Sequence, residues 1–567
     1  MLTLHDTQSS DLAHVMALAV LDEGYQNLDY VKISDPERRQ WIGQIIEANR
    51  NLSVFGDPLA PAVRHGLELL KLNPEVIATE SILVYEILLF GRVEDGQLSL
   101  ARTRPLPGAD VQKMPRDEVI ALLGLPKPQI NEDSSNVIGL MINAENVPVC
   151  VEEKIFRHHV MVDGGTGSGK SNVGGNLIEQ AVLLEKCVLV HDVKPDYRLI
   201  ANPNSDPAVE RFWPRFKPYK LEPHRLSNIV HIGFHGECDP NEVDQVVGFS
   251  ASDFSPFFLG SLFFNAEQDV LQYEAFVGVA QRWKEADSRR RFTVRQIVDE
   301  INRMVTPADT RGQARQQQIA PATADAITRK TSRIPSWLDC VDAVVTGRTT
   351  SPFDRKPNVT QTVQTFNLNQ MAKPGRVILI DYGAVESYAT YAVLLGWFLH
   401  EAQQFCRRVR NTIGIVEIID EANRLFEKGT RHAGLLANSF ARAMREGRSK
   451  DHSLVLALQN VDEGPNGILQ NIHSHIVMRQ NNRAIAKRAT EVMGEEFEKE
   501  AMRLGTGEAL IKLHESRFTV LAQMAPSPFE LMRTDNTRSA QAEREFEADR
   551  EASLAEAGFQ VNSEEEF

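Results

Sequence analysis

Cysteine is scarce, with five in 567 residues. Cys150, Cys187, Cys238, Cys340 and Cys406 stand far apart and never form a CxxC pair, which excludes a disulfide framework and a cysteine zinc site and predicts reduced core residues. Long apolar runs are also lacking. None approaches the ~20 residues of a membrane-spanning helix, and the opening Met1 to Ser10 has neither a basic region nor an apolar stretch of the signal-peptide kind. The expectation is a cytoplasmic protein with no membrane partner. Net positive charge is missing as well: at a formal −15, the chain as a whole repels a polyanion, so any nucleic-acid contact must come from a local basic lining. What is present, 42% hydrophobic, 25% charged and 7% aromatic residues, is the balance of a globular protein. The length predicts two to four structural units around at least one large core.

Three regions differ in pattern. Residues 1–125 carry short β-leaning runs, at Tyr30 to Ile33, Ile42 to Ile46, Ile82 to Gly91 and Leu98 to Ala101, with a helical excursion around Ala60 to Leu72. They read as a small β-rich domain. From 137 to 524, short apolar runs alternate with helical segments, as in an α/β sheet with helices on its faces. The predicted strands are His159 to Val162, Val188 to His191, Ile229 to Ile232, Val377 to Ile380, Ile413 to Ile419, Leu454 to Ala457 and Ile476 to Met478, nearly continuous in apolar residues as buried parallel strands are. The stretch 240–375 reads as a mostly helical insertion, and 525–567 as an acidic C-terminal tail or arm.

The strongest motif is Gly164-Gly165-Thr166-Gly167-Ser168-Gly169-Lys170-Ser171, which fits GxxxxGK[ST] directly after one predicted strand and before a helix starting near Asn172. Glycines let successive amides converge on phosphates. Lys170 is placed to reach the β and γ oxygens and the Ser171 hydroxyl to bind Mg2+, with the helix N-terminus adding its dipole. This predicts a site for ATP with Mg2+, lined by residues 164–172. A second motif is the strand Ile413 to Ile419 ending in Asp420 and Glu421, predicted to hold the magnesium through water and to polarise the attacking water. The next strand ends in Gln459, a sensor of the γ-phosphate or of that water. Between them Arg442 to Lys450 forms a basic cluster at a helix end, either a cap on the helix dipole or an arginine finger, Arg445 or Arg448, reaching a neighbouring subunit's nucleotide. Asp192 or Asp196, after the strand that follows the phosphate-loop helix, could reach the magnesium shell or an adjoining subunit, or could form an ordinary turn at Pro195.

Taken in this order, Arg157-His158-His159-Val160 leading into Gly164 to Ser171, the Asp192 segment, Asp420-Glu421-Ala422-Asn423-Arg424-Leu425, and Arg445-Glu446-Gly447-Arg448-Ser449-Lys450 followed by Gln459 resemble the HerA branch of the HerA-FtsK family of ring-shaped DNA translocases. Asn423 stands where that family often has His, and Ser449 interrupts its usual Arg-Lys pairing. The resemblance implies a RecA-like P-loop ATPase core with an N-terminal small β-barrel and a helical insertion. It further implies a homohexamer with ATP between subunits and double-stranded DNA in the central channel. Lys170 and Ser171 carry over as phosphate and magnesium ligands, Asp420 and Glu421 as the hydrolysis pair, Gln459 as the sensor, and Arg445 or Arg448 as the finger. It also implies a partner, a NurA-like nuclease in end processing or a sirtuin-like or nuclease effector in antiphage defence. DNA would be gripped by basic residues, with Arg289 to Arg291 and Arg295, Arg329, Lys330 and Arg333, and Arg483, Lys487 and Arg488 as candidates alongside their reading as solvated surface. Competing readings are a hexameric ATP-binding scaffold that regulates an associated effector, and a protein or conjugation pump resembling type IV secretion coupling proteins.

Overall fold

A computed structural model describes residues 2–5, 14–19, 24–50, 83–94, 96–131, 134–144, 146–305, 319–347, 359–382, 388–408, 413–422, 433–459, 471–514, 516 and 518–532. The expected helix at Ala60 to Leu72, Asn423 to Leu425, and the tail from residue 533 lie outside them.

Near the N-terminus come β1 (Leu2–His5), β2 (His14–Ala19), β3 (Tyr30–Ser34), β4 (Gln40–Arg50), β5 (Leu83–Glu94), β6 (Gln97–Ser99) and β7 (Asp110–Lys113). They form one antiparallel sheet in the order β2-β1-β7-β3-β4-β5-β6, and pairing of β2 with β5 closes six of them into a small barrel. Closure removes the free edges that would otherwise template aggregation. Alternate residues point inward, Val31 and Ile33 from β3, Trp41 and Ile45 from β4, Tyr85, Ile87 and Leu89 from β5, as the period of two requires.

The remainder is built on a thirteen-stranded sheet. Its strands are β8 (Val137–Met141), β9 (Pro148–Cys150), β10 (Val160–Asp163), β11 (Cys187–Asp192), β12 (Ile229–Phe234), β13 (Gln245–Gly248), β16 (Gln364–Thr365), β17 (Val377–Asp381), β18 (Ile415–Ile419), β19 (His452–Leu458), β20 (Ser474–Met478), β21 (Glu508–Lys512) and β22 (Val520–Met524). A separate hairpin pairs β14 (Val344–Thr346) with β15 (Thr360–Thr362). The sheet order is β16-β13-β12-β17-β11-β18-β19-β10-β20-β21-β22-β8-β9. From β16 to β20 every pairing is parallel; β21, β22, β8 and β9 extend the sheet antiparallel.

Both faces of the parallel part are covered, which is why its strands are apolar throughout. On one face Val173, Leu177, Ile178 and Ala181 of the helix Lys170–Leu183 pack on Val160, Val162, Val188, Val190, Val416 and Ile418. On the other, Leu394, Phe398 and Ala402 of the helix Tyr388–Arg408 share a core with Leu189, Ile415, Ile419, Leu454 and Leu456. At about 1.5–3 kcal/mol for each large side chain taken out of water, this double layer dominates the stability of the sheet. The barrel docks on the antiparallel end: Phe90 stacks on Phe518 at 4.1 Å between centroids, and the Tyr30 hydroxyl donates to the Thr519 carbonyl.

All seven strands expected between 137 and 524 occur in this one sheet. Two differences bear on the site. Within 240–375 lie helices at Pro256–Phe263, Val270–Ala286, Val294–Arg303 and Pro321–Lys330, and β13 and β16 in the same stretch belong to the central sheet. The chain also stays in the core just beyond 524: Ala525, Ser527 and Phe529, at the start of the segment expected as a tail, are fully buried.

Candidate functional site

Glycine at two positions lets the phosphate loop turn from β10 into its helix. Gly167 has φ +73° and Gly169, at the helix N-cap, φ +109°, values that L side chains rarely adopt. The helix begins at Lys170, two residues before the expected start. Neighbouring strands hold the loop in place, since the Gly164 amide donates to the Leu458 carbonyl, Gly165 to Arg479 and Gly507 to Ser168. The amides of Gly167, Gly169, Lys170 and Ser171 donate to no described residue. They sit at the helix N-terminus, where backbone N–H groups and the dipole favour an anion.

Four buried or half-buried carboxylates face this loop from the C-terminal ends of adjacent strands. Asp420 follows β18, and Asp192 ends β11. Asp196 accepts from the Ser171 hydroxyl at 2.7 Å. Glu421, in the left-handed region at φ +49°, is held in a conformation that costs a non-glycine residue energy and is typical of sites where a carboxylate must be aimed. The Gln459 side-chain amide donates to Glu421 Oε1 at 2.7 Å, and the Lys194 ammonium pairs with the same oxygen. Lys170 extends over the loop and donates to the Gly164 and Gly165 carbonyls at 2.7 and 3.1 Å.

Crowding these acids has a measurable signature. Burial, then repulsion from Asp196 and Glu421, pushes the Asp420 carboxyl up from 3.8 to about 7, against an opposing pull from Lys170. Burial and the Asp420 charge raise Asp192 well above its ordinary value, and burial raises Asp196. One oxygen of Asp192 accepts from the Tyr197 amide at 3.1 Å, while Oδ1 is buried without a hydrogen-bond partner among the described residues. A hard divalent cation relieves such repulsion, and hydroxyl and carboxylate oxygens are the donors Mg2+ prefers. Among the described residues no group of three His, Cys, Asp or Glu side chains is arranged to hold a metal ion.

Across the sheet from these acids, on the face of the helix Tyr388–Arg408, Glu417 of β18 is fully buried with a histidine on each oxygen. His191 Nε2 lies 2.7 Å from Oε2 and His452 Nε2 2.5 Å from Oε1. His191 Nδ1 also lies 3.2 Å from the Tyr382 hydroxyl. Although desolvation opposes it, these bonds hold the Glu417 carboxyl down at about 2.

The structure thus brings together residues 164–171, Asp420, Glu421 and Gln459. It does not bring Arg445 or Arg448 to them. Both stand where the helix Ala433–Gly447 passes into the 3-10 turn Arg448–Lys450, before β19 begins, whereas Gln459 and the phosphate loop lie beyond its far end, about 20 Å along a seven-residue strand. Both are exposed. In the same cluster Arg407, Arg442 and Lys450 all bind Glu446, while Arg445 donates to the Ala441 carbonyl and Arg448 has no carboxylate partner among the described residues. The Asn172 side chain is engaged away from the loop, donating to the Ala525 carbonyl at 2.8 Å and accepting from the Ser527 amide at 2.7 Å. Of the basic candidates, Lys330, Arg483 and Arg488 are tied to Asp269, Glu498 and Glu491.

Lys194 is the residue that the sequence reading missed. Its spacing from Asp192 and Asp196 carries no motif, and its contact with Glu421 depends on β11 and β18 being neighbours. The same adjacency turns the open alternatives at Asp192 and Asp196 into two carboxylates beside Ser171 and Asp420.

Residues 136–401 match the family described as "Helicase HerA, central domain". A curated relative, the probable DNA double-strand break repair helicase HerA of Methanocaldococcus jannaschii, is 23% identical over 194 residues, 34% of this chain and 36% of the relative, so the match spans about a third of that protein. Among solved structures, the conjugative coupling protein TrwB aligns over 73% of this chain and 92% of its own at 11% identity and a TM-score of 0.43. VirB4 of Thermoanaerobacter pseudethanolicus aligns over 70% and 99%, at 13% identity and a TM-score of 0.45. Among the described residues no helix is long and apolar enough to cross a membrane.

Proposed function

We propose, from the match of residues 136–401 to the HerA central domain family, that this chain is an ATP-hydrolysing motor that works on double-stranded DNA as a ring of six copies. The observation that carries the reading is Glu421, a buried carboxylate in a left-handed turn, oriented by Gln459 and Lys194 beside a phosphate loop. In that position it orients a water for in-line attack on the γ-phosphate and takes up its proton. Lys170 and the loop amides bind the triphosphate and hold its γ oxygens in line. Ser171 and Asp420 are the residues that would hold Mg2+, with Asp196 positioning the Ser171 hydroxyl. When bound, the ion neutralises charge developing on the phosphate oxygens.

Ring assembly is supported by the arginines. A cation facing the leaving phosphate accelerates phosphoryl transfer steeply, and Arg445 and Arg448, at the end of β19 opposite the phosphate loop, are out of reach of their own site and free to serve a neighbour's. The family match and the relative's name support DNA as the track and double-strand break repair as the setting; a partner nuclease or a defence effector is part of the proposal. A second reading, a hexameric scaffold regulating an effector with little DNA pumping, draws on the net charge of −15 and the ion-paired state of Lys330, Arg483 and Arg488. Steady-state ATP hydrolysis with and without linear duplex DNA, beside a mass measurement of the assembly, separates the two. Turnover in a hexamer that rises with DNA ends and vanishes in Glu421→Gln supports the motor; a hexamer indifferent to DNA supports the scaffold, and a monomer with full turnover refutes both.

A further inference from the structure

The helix end that bears Arg445 and Arg448 rests on a buried histidine. His159 directly precedes β10, the strand that delivers the phosphate loop, so it stands at the end of the sheet opposite that loop, where the helix Ala433–Gly447 also ends. The residue is 2% exposed. Its backbone has φ +51°, a left-handed conformation uncommon outside glycine, which persists only where the surroundings over-determine it.

Both ring nitrogens are used, by partners that leave one tautomer. The Leu454 amide donates to Nδ1 at 3.1 Å, and Nε2 lies 3.0 Å from the Met444 carbonyl. An amide N–H can only donate and a carbonyl can only accept, so the ring proton is on Nε2. Burial lowers the ring from 6.5 to about 4 against the pull of the Met444 carbonyl, which keeps it neutral and both bonds in place. Leu454 belongs to β19, the neighbour of β10, and Met444 lies in the last turn of the helix, next to Arg445. One side chain thus joins the lead into β10, the strand that ends at Gln459, and the arginine-bearing helix end.

The contact also caps the helix. Its last four carbonyls have no partner within it; here the Met444 carbonyl is met by His159, and the Glu446 carbonyl by the Ser449 hydroxyl at 2.9 Å. The approach is close. A Cβ at Gly447 would collide with the His452 carbonyl oxygen and come within 3.1 Å of His159 Cε1. Since Gly447 has φ −57°, which any residue can adopt, it is the nearness of the helix end to this ring that calls for glycine there. Ala443 and Met444 are buried, while Arg445 and Arg448 are exposed on either side of Gly447.

We propose that His159 is a positioning residue for Arg445 and Arg448: by holding the Met444 carbonyl it fixes the arginine-bearing helix end against β10. The proposal rests on the reading that these arginines act on a neighbour's nucleotide, and adds the residue that aims them. β10 has four residues, roughly 13 Å of strand. Each copy therefore offers its arginines from the far end of a short strut whose other end is its own phosphate loop.

The test is turnover in mixed assemblies of the full chain. Lys170→Ala chains keep their arginines without a working phosphate loop; chains with Arg445→Ala and Arg448→Ala together keep the loop. Co-refolded, the two should recover part of the turnover that each lacks alone. His159→Asn is then added to one member or the other. Asn tolerates the left-handed backbone and can still accept from the Leu454 amide, but is too short to reach Met444. In the Lys170→Ala chain, which supplies the arginines, it should cut the recovered kcat at least about tenfold, within the scale of a catalytic group misplaced by about 1 Å. In the arginine-less chain, whose loop does the work, it should leave the recovered kcat and the KM for ATP within about twofold. Gly447→Ala, which presses on the same contact from the helix side, should repeat the asymmetry and decides the matter if His159→Asn does not assemble. Equal loss in both arms makes His159 a support of its own chain's fold and overturns the proposal, as does no loss in either. No recovery in the parent mixture overturns the finger itself and the proposal with it.

Discussion

Asp420→Asn should make the metal-free protein more stable while abolishing its turnover. In the folded chain burial and two neighbouring carboxylates carry the Asp420 carboxyl from 3.8 to about 7, so at pH 8 folding must ionise a group it disfavours. A displacement of that size corresponds to about 4 kcal/mol as an upper bound. An amide in its place is still desolvated, at about 1–3 kcal/mol if it finds no partner, which leaves a net gain of about 2 kcal/mol. The sign fixes the pH window. A carboxyl whose folded value is raised contributes nothing unfavourable below about 4, where both states are protonated; its destabilisation grows from there and is complete once pH passes about 7. Urea unfolding of the core in EDTA should therefore show the substituted protein ahead at pH 8, with an unchanged m-value, and the advantage should have largely gone at pH 4.5. An equal advantage at both pH values, or a loss at pH 8, would refute the reasoning, because neither outcome can come from an ionised carboxylate among like charges.

Other outcomes follow from the same geometry. Glu421→Gln should lower hydrolysis at least ~100-fold, the scale of a lost general base, while equilibrium nucleotide binding stays within a fewfold; a matching loss of affinity would place Glu421 in binding instead. Mixing Lys170→Ala chains with chains lacking both arginines, Arg445→Ala and Arg448→Ala together, should restore part of the turnover that each preparation lacks alone, since the phosphate loop of one copy and the arginines of another then meet at some interfaces. No recovery after co-refolding would count against a finger in trans. Glu417→Leu strands two buried histidines and should cost about 3–5 kcal/mol, read by chemical denaturation. The unaltered Glu417 contribution is present above about pH 4.5 and is lost as pH falls toward 2, its folded value.

Much of this architecture could be read from the chain because parallel strands covered on both faces must be apolar at every position, so Val188 to His191 or Val377 to Ile380 stand out without any three-dimensional knowledge. Strands at the other end of the sheet did not. Glu508–Lys512 opens and closes on charged or polar residues, and Val520–Met524 contains Gln523; each is five residues long, with no periodicity that distinguishes it from a loop. The phosphate loop and the acidic pair were legible because their spacing is local. Lys194 beside Glu421, and Asn172 bound to Ala525 and Ser527 more than 350 residues away, depend on which strands and segments end up adjacent. The two arginines were visible as a basic cluster, but only the crossover between β18 and β19 reveals that they stand at the end of the strands opposite the phosphate loop.

The His191–Glu417–His452 bridge has a mechanical consequence. It fastens β11, β18 and β19 to one another from within, by bonds that cannot exchange with solvent and so do not slip gradually. The ends of those three strands carry Asp192, Asp420 with Glu421, and Gln459. The acidic half of the site is therefore a stiff plate, and any displacement must be taken up elsewhere, in the segments that overlie the phosphate loop.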